Sequence, residues 1–264
     1  MSILEAIILG IIQGLTEFLP VSSSGHIELG SYFLNVKNKD NLLFSIIVHG
    51  ATALSTIIVF RKDIIEILSG LLEFKWNEAT KFTLKIIISM IPVGIVGILF
   101  EEQIEALFTG NIVFVASMLG VTGLLLLFTF FAKAKNNNVS YLHAIIIGFA
   151  QSIAILPGIS RSGSTIATAL ILGVEKSNAA RFSFLMVLPP ILGATLLKTL
   201  DFIENPSIAE GTSGLTLLVG FIAAFISGLL ACQWMIAIVK KGKLIYFAYY
   251  CFIIAFGVLI YSLI

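Results

Sequence analysis

Long apolar stretches separated by short polar loops run through almost the whole chain. Six of these stretches approach the roughly 20 residues that a helix needs to cross a bilayer, and they cover residues 42–60, 82–100, 112–132, 179–198, 214–239 and 244–263. Two further apolar regions, residues 3–34 and 141–173, are each interrupted by a polar segment. The pattern predicts an all-α polytopic membrane protein with six transmembrane helices.

The two interruptions are rich in serine, glycine and proline. The first covers residues 20–26 and the second covers residues 157–164. Proline and glycine in such a segment end a helix, and the apolar piece that follows each is about ten residues long, too short to span. Irregular backbone at membrane depth is tolerated only where protein buries it or where it lines a wet cavity. We therefore predict two re-entrant helical hairpins, over residues 3–34 and 141–173.

The two interrupted regions are copies of each other. A shift of 138 positions, with no gap, pairs identical residues, namely Gly10 with Gly148, Gln13 with Gln151, Ser22 with Ser160, Ser24 with Ser162, Gly25 with Gly163, Phe44 with Phe182, and Ser45 with Ser183. Each copy is then one hairpin followed by three spanning helices. Because three is odd, the second copy is inverted in the membrane.

This arrangement predicts one membrane domain over residues 1–264. Repeat one covers about residues 1–132, and repeat two covers about residues 139–264. Folds built from inverted repeats place their site near the bilayer midplane, where the repeats meet.

The basic residues of the loops predict the orientation. Cytoplasmic loops carry the excess of lysine and arginine, and here eleven basic residues fall on one predicted side and three on the other. The larger group is Arg61, Lys62, Lys75, Lys81, Lys85, Lys133, Lys135, Lys176, Lys240, Lys241 and Lys243, and the smaller group is Lys37, Lys39 and Lys198. We therefore expect both termini outside the cell, the first hairpin open to the outside and the second open to the cytoplasm.

Composition narrows the class of protein further. Only 12% of the residues are charged, about half the share of a soluble protein, and no basic block suggests nucleic acid as a partner. Cys232 and Cys251 lie in apolar runs, so we expect them in the core rather than in a disulfide. The N-terminus lacks a basic region and carries Glu5, so we expect it not to be a cleaved signal.

Gln13 and Glu17 are the first candidates for chemistry. Four residues apart on an apolar helix, they share one face. A carboxylate at this depth is costly and is usually functional, although Glu17 can also serve as a structural hydrogen-bond acceptor. The functional interpretation is a divalent-metal ligand, with Gln13 offering a neutral oxygen beside it.

The first interruption itself carries further candidates. Ser22, Ser23 and Ser24 can bind phosphate, and one of them can act as a nucleophile, or they can simply cap the turn. His26 follows them, and histidine exchanges protons near neutral pH. We predict a catalytic His26, against the alternative of a histidine satisfied in the core.

Arg161 is the strongest candidate in the second interruption. Its guanidinium offers a planar set of donors that matches phosphate oxygens. Ser160 and Ser162 flank it, Thr165 follows on the next turn, and together with Arg161 they are predicted to bind phosphate. The structural alternative pairs Arg161 with Glu17 across the repeat, which would still place both at one site. His49 and Arg181 also lie in or near apolar runs, and we expect structural roles for both.

Both interruptions resemble the signatures of the undecaprenyl-pyrophosphate phosphatase family, also known for bacitracin resistance. The two matching segments are Gln13-Gly14-Leu15-Thr16-Glu17-Phe18-Leu19-Pro20-Val21-Ser22-Ser23-Ser24-Gly25-His26 and Pro157-Gly158-Ile159-Ser160-Arg161-Ser162-Gly163-Ser164-Thr165. The resemblance carries Glu17, Ser23, His26, Arg161 and Thr165 over as site residues, together with Ser160. The family has Glu or Gln at its first position, and Gln13 leaves this chain with one anionic ligand fewer.

The resemblance implies an enzyme with a membrane-embedded substrate. That substrate is a C55 polyprenyl pyrophosphate, hydrolysed to the monophosphate carrier lipid and inorganic phosphate. It also implies a divalent cation, Mg²⁺ or Ca²⁺, and a site reached from the outer face of the bacterial plasma membrane. The oligomeric state stays open between a monomer and a homodimer.

Three nucleophiles remain open in the mechanism that these residues predict. Glu17, helped by Gln13, would hold the metal on the pyrophosphate, and Arg161 would hold the transferring phosphoryl group. His26 would activate water or Ser23, or would itself attack. The rival interpretation is a transporter or flippase of a phosphorylated lipid or anion, because inverted repeats with broken helices are also typical of transporters.

Overall fold

Helices form the regular structure of the chain. The computed structural model describes residues 1–36, 38–107, 111–132, 137–204 and 213–264. Within these ranges the α-helices are α1 Ile3–Phe18, α2 Ser23–Phe33, α3 Asn38–Val59, α4 Arg61–Leu72, α5 Glu78–Leu99, α6 Glu101–Glu105, α7 Ile112–Phe128, α8 Tyr141–Ile153, α9 Arg161–Ile171, α10 Lys176–Met186, α11 Leu188–Glu204, α12 Gly214–Lys241 and α13 Ile245–Tyr261. A short 3-10 helix, Thr129–Phe131, extends α7, and the described residues contain one isolated β-bridge, between Asn137 and Val174.

Several of these helices are long and apolar enough to cross a membrane. Four segments meet both criteria among the described residues, and a fifth does if α3 and α4, bent by 75° at Phe60, count as one span. The four are Glu78–Leu99, Ile112–Phe131, Lys176–Leu197 and Gly214–Lys241. The prediction of an all-helical, multi-pass membrane protein is confirmed at this level.

Four of the six predicted spans meet these length and hydropathy criteria among the described residues, and the span predicted at 42–60 meets them only together with α4. The predicted segment 244–263 coincides with α13, an apolar helix of 17 residues whose length is about 26 Å at 1.5 Å per residue. That length is slightly below the roughly 30 Å of the hydrocarbon core. Among the residues used to predict orientation, Lys37, Lys133 and Lys135 lie outside the described residues.

Both predicted interruptions separate two short helices. The first lies between α1 and α2, and the second lies between α8 and α9. Serine caps each of the four helix starts: Ser2 and Ser140 form capping boxes, while Ser22 and Ser160 accept a backbone N–H three residues later. Because capping satisfies the free N–H groups of a helix start, the serines of the interruptions restart the helix there.

Close helix packing holds the two broken regions against long helices of the other half of the chain. A Cβ atom on Gly10 of α1 would lie 2.6 Å from the Gly220 carbonyl oxygen of α12. A Cβ atom on Gly148 of α8 would lie 2.5 Å from the Ser89 carbonyl oxygen of α5. Any larger residue at these positions would separate the helix pairs, so the two glycines fix where α1 and α8 lie.

The largest buried apolar cluster links both halves of the chain. It includes Phe18 at the end of α1, Ile166 of α9, Phe182 of α10 and Met235 of α12. Both cysteines, Cys232 and Cys251, are free thiols in this core, as their sequence context predicted.

Candidate active site

The two interruptions meet each other inside the molecule. Arg161, the first residue of α9, forms an ion pair with Glu17 at the end of α1. The Ser162 hydroxyl donates to the Leu19 carbonyl oxygen at 3.3 Å. A Cβ atom on Gly25 would lie 3.0 Å from the Gly158 Cα atom. Residues 144 positions apart in sequence therefore form one site.

The Glu17 carboxylate is the centre of this site. Its side chain is 5% exposed. Its Oε1 atom accepts from the Arg161 guanidinium, while its Oε2 atom accepts from the Ser23 hydroxyl at 2.6 Å and from the Gln13 amide at 2.9 Å. The His49 Nε2 atom lies 3.8 Å from the same Oε2 atom. A buried carboxylate needs such partners, and here both oxygens are engaged.

The first interruption holds Ser23 in place through an unusual backbone conformation. Ser22 has φ of 70°, a region that is costly for a residue with a side chain. In this conformation the Ser22 hydroxyl accepts from the Gly25 N–H at 3.2 Å, and its carbonyl oxygen lies 2.8 Å from the His26 Nδ1 atom. Such strain is typical of functional sites, and here it places Ser23 beside Glu17.

The second interruption is held by the neighbouring helix α7. Gly158 has φ of 100°, which a glycine adopts without steric cost. The Thr122 hydroxyl of α7 donates to the Gly158 carbonyl oxygen at 2.9 Å and accepts from the Ser160 N–H at 2.9 Å. The Ser160 hydroxyl then caps α9. Arg161 is therefore positioned by a fixed loop and a helix start.

A cavity of about 190 Å³ adjoins this cluster, and we refer to it as the central cavity. Its polar wall consists of Ser22, Ser23, Ser24, His49, Gln151 and Arg161. None of the described residues that line it carries a carboxylate. Both α2 and α9 begin at this wall, and helix starts present free N–H groups that favour anions. The charge and the donors of the wall therefore suit a phosphate group.

The remaining lining of the central cavity is apolar. It consists of Val93 of α5, Pro190 of α11, and Ala154, Ile155 and Ile159 of the second interruption. The cavity is therefore amphipathic, because its lining combines hydrogen-bond donors with hydrocarbon. A second cavity, of about 200 Å³, lies elsewhere around Arg181 and contains none of the predicted site residues.

The structure separates the predicted phosphate-binding residues into two groups. Ser22, Ser23, Ser24 and Arg161 line the central cavity. In the second group, the Ser160 hydroxyl caps α9, the Ser162 hydroxyl donates to Leu19, and the Thr165 hydroxyl bonds the Arg161 carbonyl and Ser183. The hydroxyls of the second group already hold the backbone around Arg161.

His26 faces away from the central cavity. Its Nδ1 atom lies 2.8 Å from the Ser22 carbonyl oxygen, which makes Nδ1 the donor, and its Nε2 atom lies 2.9 Å from the Tyr250 hydroxyl. The two rings are stacked. His26 therefore joins α2 to α13, and both of its nitrogens have partners.

His49 belongs to the site, although the sequence suggested only a structural role for it. Its Nδ1 atom lies 2.8 Å from the Ser45 carbonyl oxygen, so its Nε2 atom is left facing Glu17 and the central cavity. The available sequence signal is a histidine in the apolar run of α3, one turn after Ser45. That signal does not report the distance between α3 and α1. Arg181, by contrast, pairs with Asp63 at 2.5 Å, away from Glu17.

The residues around Glu17 offer limited protein ligands for a metal ion. Among the described residues, no group of three or more His, Cys, Asp or Glu side chains is placed to bind one. The Gln13 Oε1 atom, however, is buried beside Glu17 and has no hydrogen-bond partner within the described ranges. One carboxylate and one free amide oxygen fit a hard cation that takes its other ligands from substrate phosphates and water.

Comparison with known proteins gives matches over nearly the whole chain. The family model described as bacitracin resistance protein BacA matches residues 6–257. A protein of Christiangramia forsetii named undecaprenyl-diphosphatase is 58% identical over 264 residues, covering 99% of both chains. Proteins of the same name from Bacteroides fragilis and Methanobrevibacter smithii are 52% and 38% identical, covering 98% and 99% of this chain and 97% of theirs.

Proposed function

The chain belongs to the bacitracin resistance protein BacA family, and from that membership we propose that it hydrolyses undecaprenyl pyrophosphate to undecaprenyl phosphate and inorganic phosphate. This reaction returns the carrier lipid to cell-wall synthesis. One observation supports the proposal from this chain's own residues: Arg161 and Ser23 share the buried Glu17 carboxylate beside a cavity whose described lining carries no carboxylate.

The amphipathic cavity suits both parts of this substrate. Arg161 and the hydroxyls of Ser22, Ser23 and Ser24 bind the pyrophosphate, and the apolar lining accepts the first isoprene units. Pyrophosphate competes with Glu17 for the guanidinium, because the planar donors of arginine match phosphate oxygens at least as well as a carboxylate. Substrate binding then releases the Glu17 Oε1 atom from its ion pair.

We propose that Ser23 is the group that attacks. Its oxygen forms a bond to the terminal phosphorus, the bond from that phosphorus to the bridging oxygen breaks, and undecaprenyl phosphate leaves. The hydroxyl proton passes to the Glu17 Oε2 atom, which already accepts the Ser23 hydrogen bond at 2.6 Å. Water then attacks the phosphorus of the phosphoserine, and the bond from that phosphorus to the Ser23 oxygen breaks. The proton held by Glu17 returns to the Ser23 oxygen, and inorganic phosphate leaves with the oxygen and the protons of the water. Arg161 stabilises the charge on the transferring phosphoryl group in both steps.

Water and His26 are the other nucleophiles that the sequence allowed. The geometry favours Ser23 over His26, because both nitrogens of His26 are held by Ser22 and Tyr250. We propose that His26 acts by fixing the start of α2, and with it the position of Ser23.

A divalent cation, Mg²⁺ or Ca²⁺, completes the proposal. Glu17, with its Oε1 atom released by Arg161, and the free Gln13 Oε1 atom would hold it against the pyrophosphate. When bound, the cation would neutralise charge on the phosphate oxygens.

A direct assay tests the proposed function. The purified protein in detergent, given undecaprenyl pyrophosphate and a divalent cation, is expected to release inorganic phosphate without any ion gradient. Acid quenching during turnover is expected to trap phosphate on Ser23, detected by mass spectrometry, and Ser23→Ala should lose both signals. A protein that binds or moves the lipid without phosphate release would support the transporter alternative, which the names of the relatives do not suggest.

The finer architecture remains part of the proposal. We propose two inverted repeats, residues 1–132 and 139–264, each with a re-entrant hairpin, in the bacterial plasma membrane. The packing of α1 on α12 and of α8 on α5 supports the repeat architecture. Under the shift of 138 residues, α1 corresponds to α8 and α5 corresponds to α12. Each hairpin then packs on the equivalent helix of the other repeat. The site would open to the extracytoplasmic side.

Labelling of single cysteines tests the orientation. Lys62→Cys and Lys241→Cys are expected to resist an impermeant thiol reagent in intact cells, and Ser262→Cys near the C-terminus is expected to react. All three positions are exposed, while the native Cys232 and Cys251 are buried and give little background. Reaction at positions 62 and 241 in sealed cells would reverse the proposed orientation.

A further inference from the structure

Gln151 lies in the last turn of α8 and is the residue that the shift of 138 positions pairs with Gln13. It is 2% exposed, yet both its Nε2 and Oε1 atoms lack a hydrogen-bond partner among the described residues. It also lines the central cavity. A buried amide with neither atom paired is destabilising, and a native structure that keeps one usually has a use for it.

Apolar residues of the cavity lining lie close to Gln151. Gly148 of α8 contacts Ser89 of α5, and one turn further along each helix Gln151 and Val93 both line the cavity. Ile155, four residues after Gln151, lines it as well. Gln151 is therefore a polar group with apolar lining residues beside it.

This position determines which phosphate Gln151 can reach. The isoprenoid is attached to only one of the two phosphates, so the phosphate nearer the apolar lining is the one that leaves with the lipid. Arg161 and Ser23 line the same cavity but are both bonded to Glu17, whereas Gln151 has no bond to that carboxylate among the described residues. Resting on the proposed function, we infer that Gln151 binds the lipid-linked phosphate of the substrate, with its Nε2 donating to an oxygen of the leaving group.

This inference gives the equivalent glutamines of the two repeats different tasks. Gln13 uses its amide nitrogen to hold Glu17 at 2.9 Å, so the first repeat's glutamine supports the reacting end. Gln151 has no carboxylate at the position four residues later, where Ile155 stands, and its amide is left for the ligand. A neutral amide suits this task, because a fixed positive charge would retain the anionic product.

Gln151→Leu tests the assignment through two inhibitors. We expect the KM for undecaprenyl pyrophosphate and the inhibition constant for undecaprenyl phosphate to rise roughly 10- to 100-fold, the range of a hydrogen bond to a charged group. The inhibition constant for inorganic phosphate, which binds at Arg161, should change less than about twofold. Gln233→Leu, the same change at an exposed position of α12, serves as the matched control and should leave all three constants unchanged.

Thermal unfolding separates a binding role from a structural role. Leucine removes two unpaired buried amide atoms, so the melting temperature of Gln151→Leu should equal or exceed that of the wild type. A lower melting temperature with unchanged inhibition by undecaprenyl phosphate would overturn the inference, and so would an equal rise in the inhibition constant for inorganic phosphate. Direct binding of undecaprenyl phosphate needs no turnover. A wild-type protein that releases no phosphate would therefore contradict the proposed function, while the binding comparison would still decide the role of Gln151.

Discussion

Replacing Arg161 with lysine is expected to lower kcat by roughly 10²–10³-fold, the usual effect of losing one donor to a developing charge. Lysine keeps the positive charge but loses the planar pair of donors. The Glu17 carboxylate keeps a cationic neighbour, so the protein should remain folded. Because the donors matter most in the transition state, the loss should appear in kcat rather than KM. Phosphate release over a range of lipid concentrations measures both constants.

Arg181→Lys provides the matched control for this substitution. Arg181 also pairs with a carboxylate, Asp63 at 2.5 Å, but lies at a different cavity. Its replacement should leave kcat within about twofold, in line with the small energies of partly exposed ion pairs. A fully active Arg161→Lys enzyme would mean that Arg161 only anchors Glu17 and does not touch the phosphoryl group.

Replacing Glu17 with glutamine should reduce turnover at least as strongly, by roughly 10²–10⁴-fold, because the variant loses the proton acceptor for Ser23. The amide also removes the negative charge opposite Arg161 and the one carboxylate proposed to hold the cation. Saturating Mg²⁺ or Ca²⁺ should therefore not restore activity. Phosphate release at increasing metal concentration measures this, and trapping should find no phosphate on Ser23.

Two other substitutions on α1 serve as controls for Glu17→Gln. Glu5→Gln changes a carboxylate in the N-terminal capping box of the same helix and should leave turnover unchanged. Gln13→Glu places a second carboxylate beside Glu17 and should remain active with an altered metal preference, because the new side chain still offers an oxygen ligand for the cation. Near-normal phosphate release by Glu17→Gln would exclude Glu17 both as proton acceptor and as metal ligand.

The broken helices show how far local sequence determines the site. The polar segments 20–26 and 157–164 predicted helix breaks, and the structure has α1 ending at Phe18, α2 starting at Ser23 and α9 starting at Arg161. Capping serines and glycine turns act on their own neighbours in the chain, so these features can be read without knowing the fold. Four or five of the six predicted spans meet the length and hydropathy criteria among the described residues, because α13 is short and α3 bends into α4 at Phe60.

Some partners of Glu17 could be predicted from the sequence, and others could not. The spacing of four residues between Gln13 and Glu17 predicted a shared helix face, and the structure adds a hydrogen bond of 2.9 Å between them. The repeat suggested that Arg161 would meet Glu17. No spacing in the sequence suggested that His49 would approach Glu17 or that the Tyr250 hydroxyl would form a hydrogen bond with His26. These contacts depend on how α3 and α13 pack against the broken helices.

The sequence by itself determined the membrane class, the helical breaks and the internal copy, and it predicted that Glu17 and Arg161 share one site. The membrane class and the helical breaks rest on hydropathy and turn propensity, which depend on a few neighbouring residues. The internal copy follows directly from the similarity of the two halves of the sequence. Only the tertiary structure decided which hydroxyls face the cavity, which histidine lies beside the carboxylate and that Gln151 is buried without a partner. Those outcomes depend on close packing between helices far apart in the chain, where the size of single residues such as Gly10 and Gly148 sets the distances.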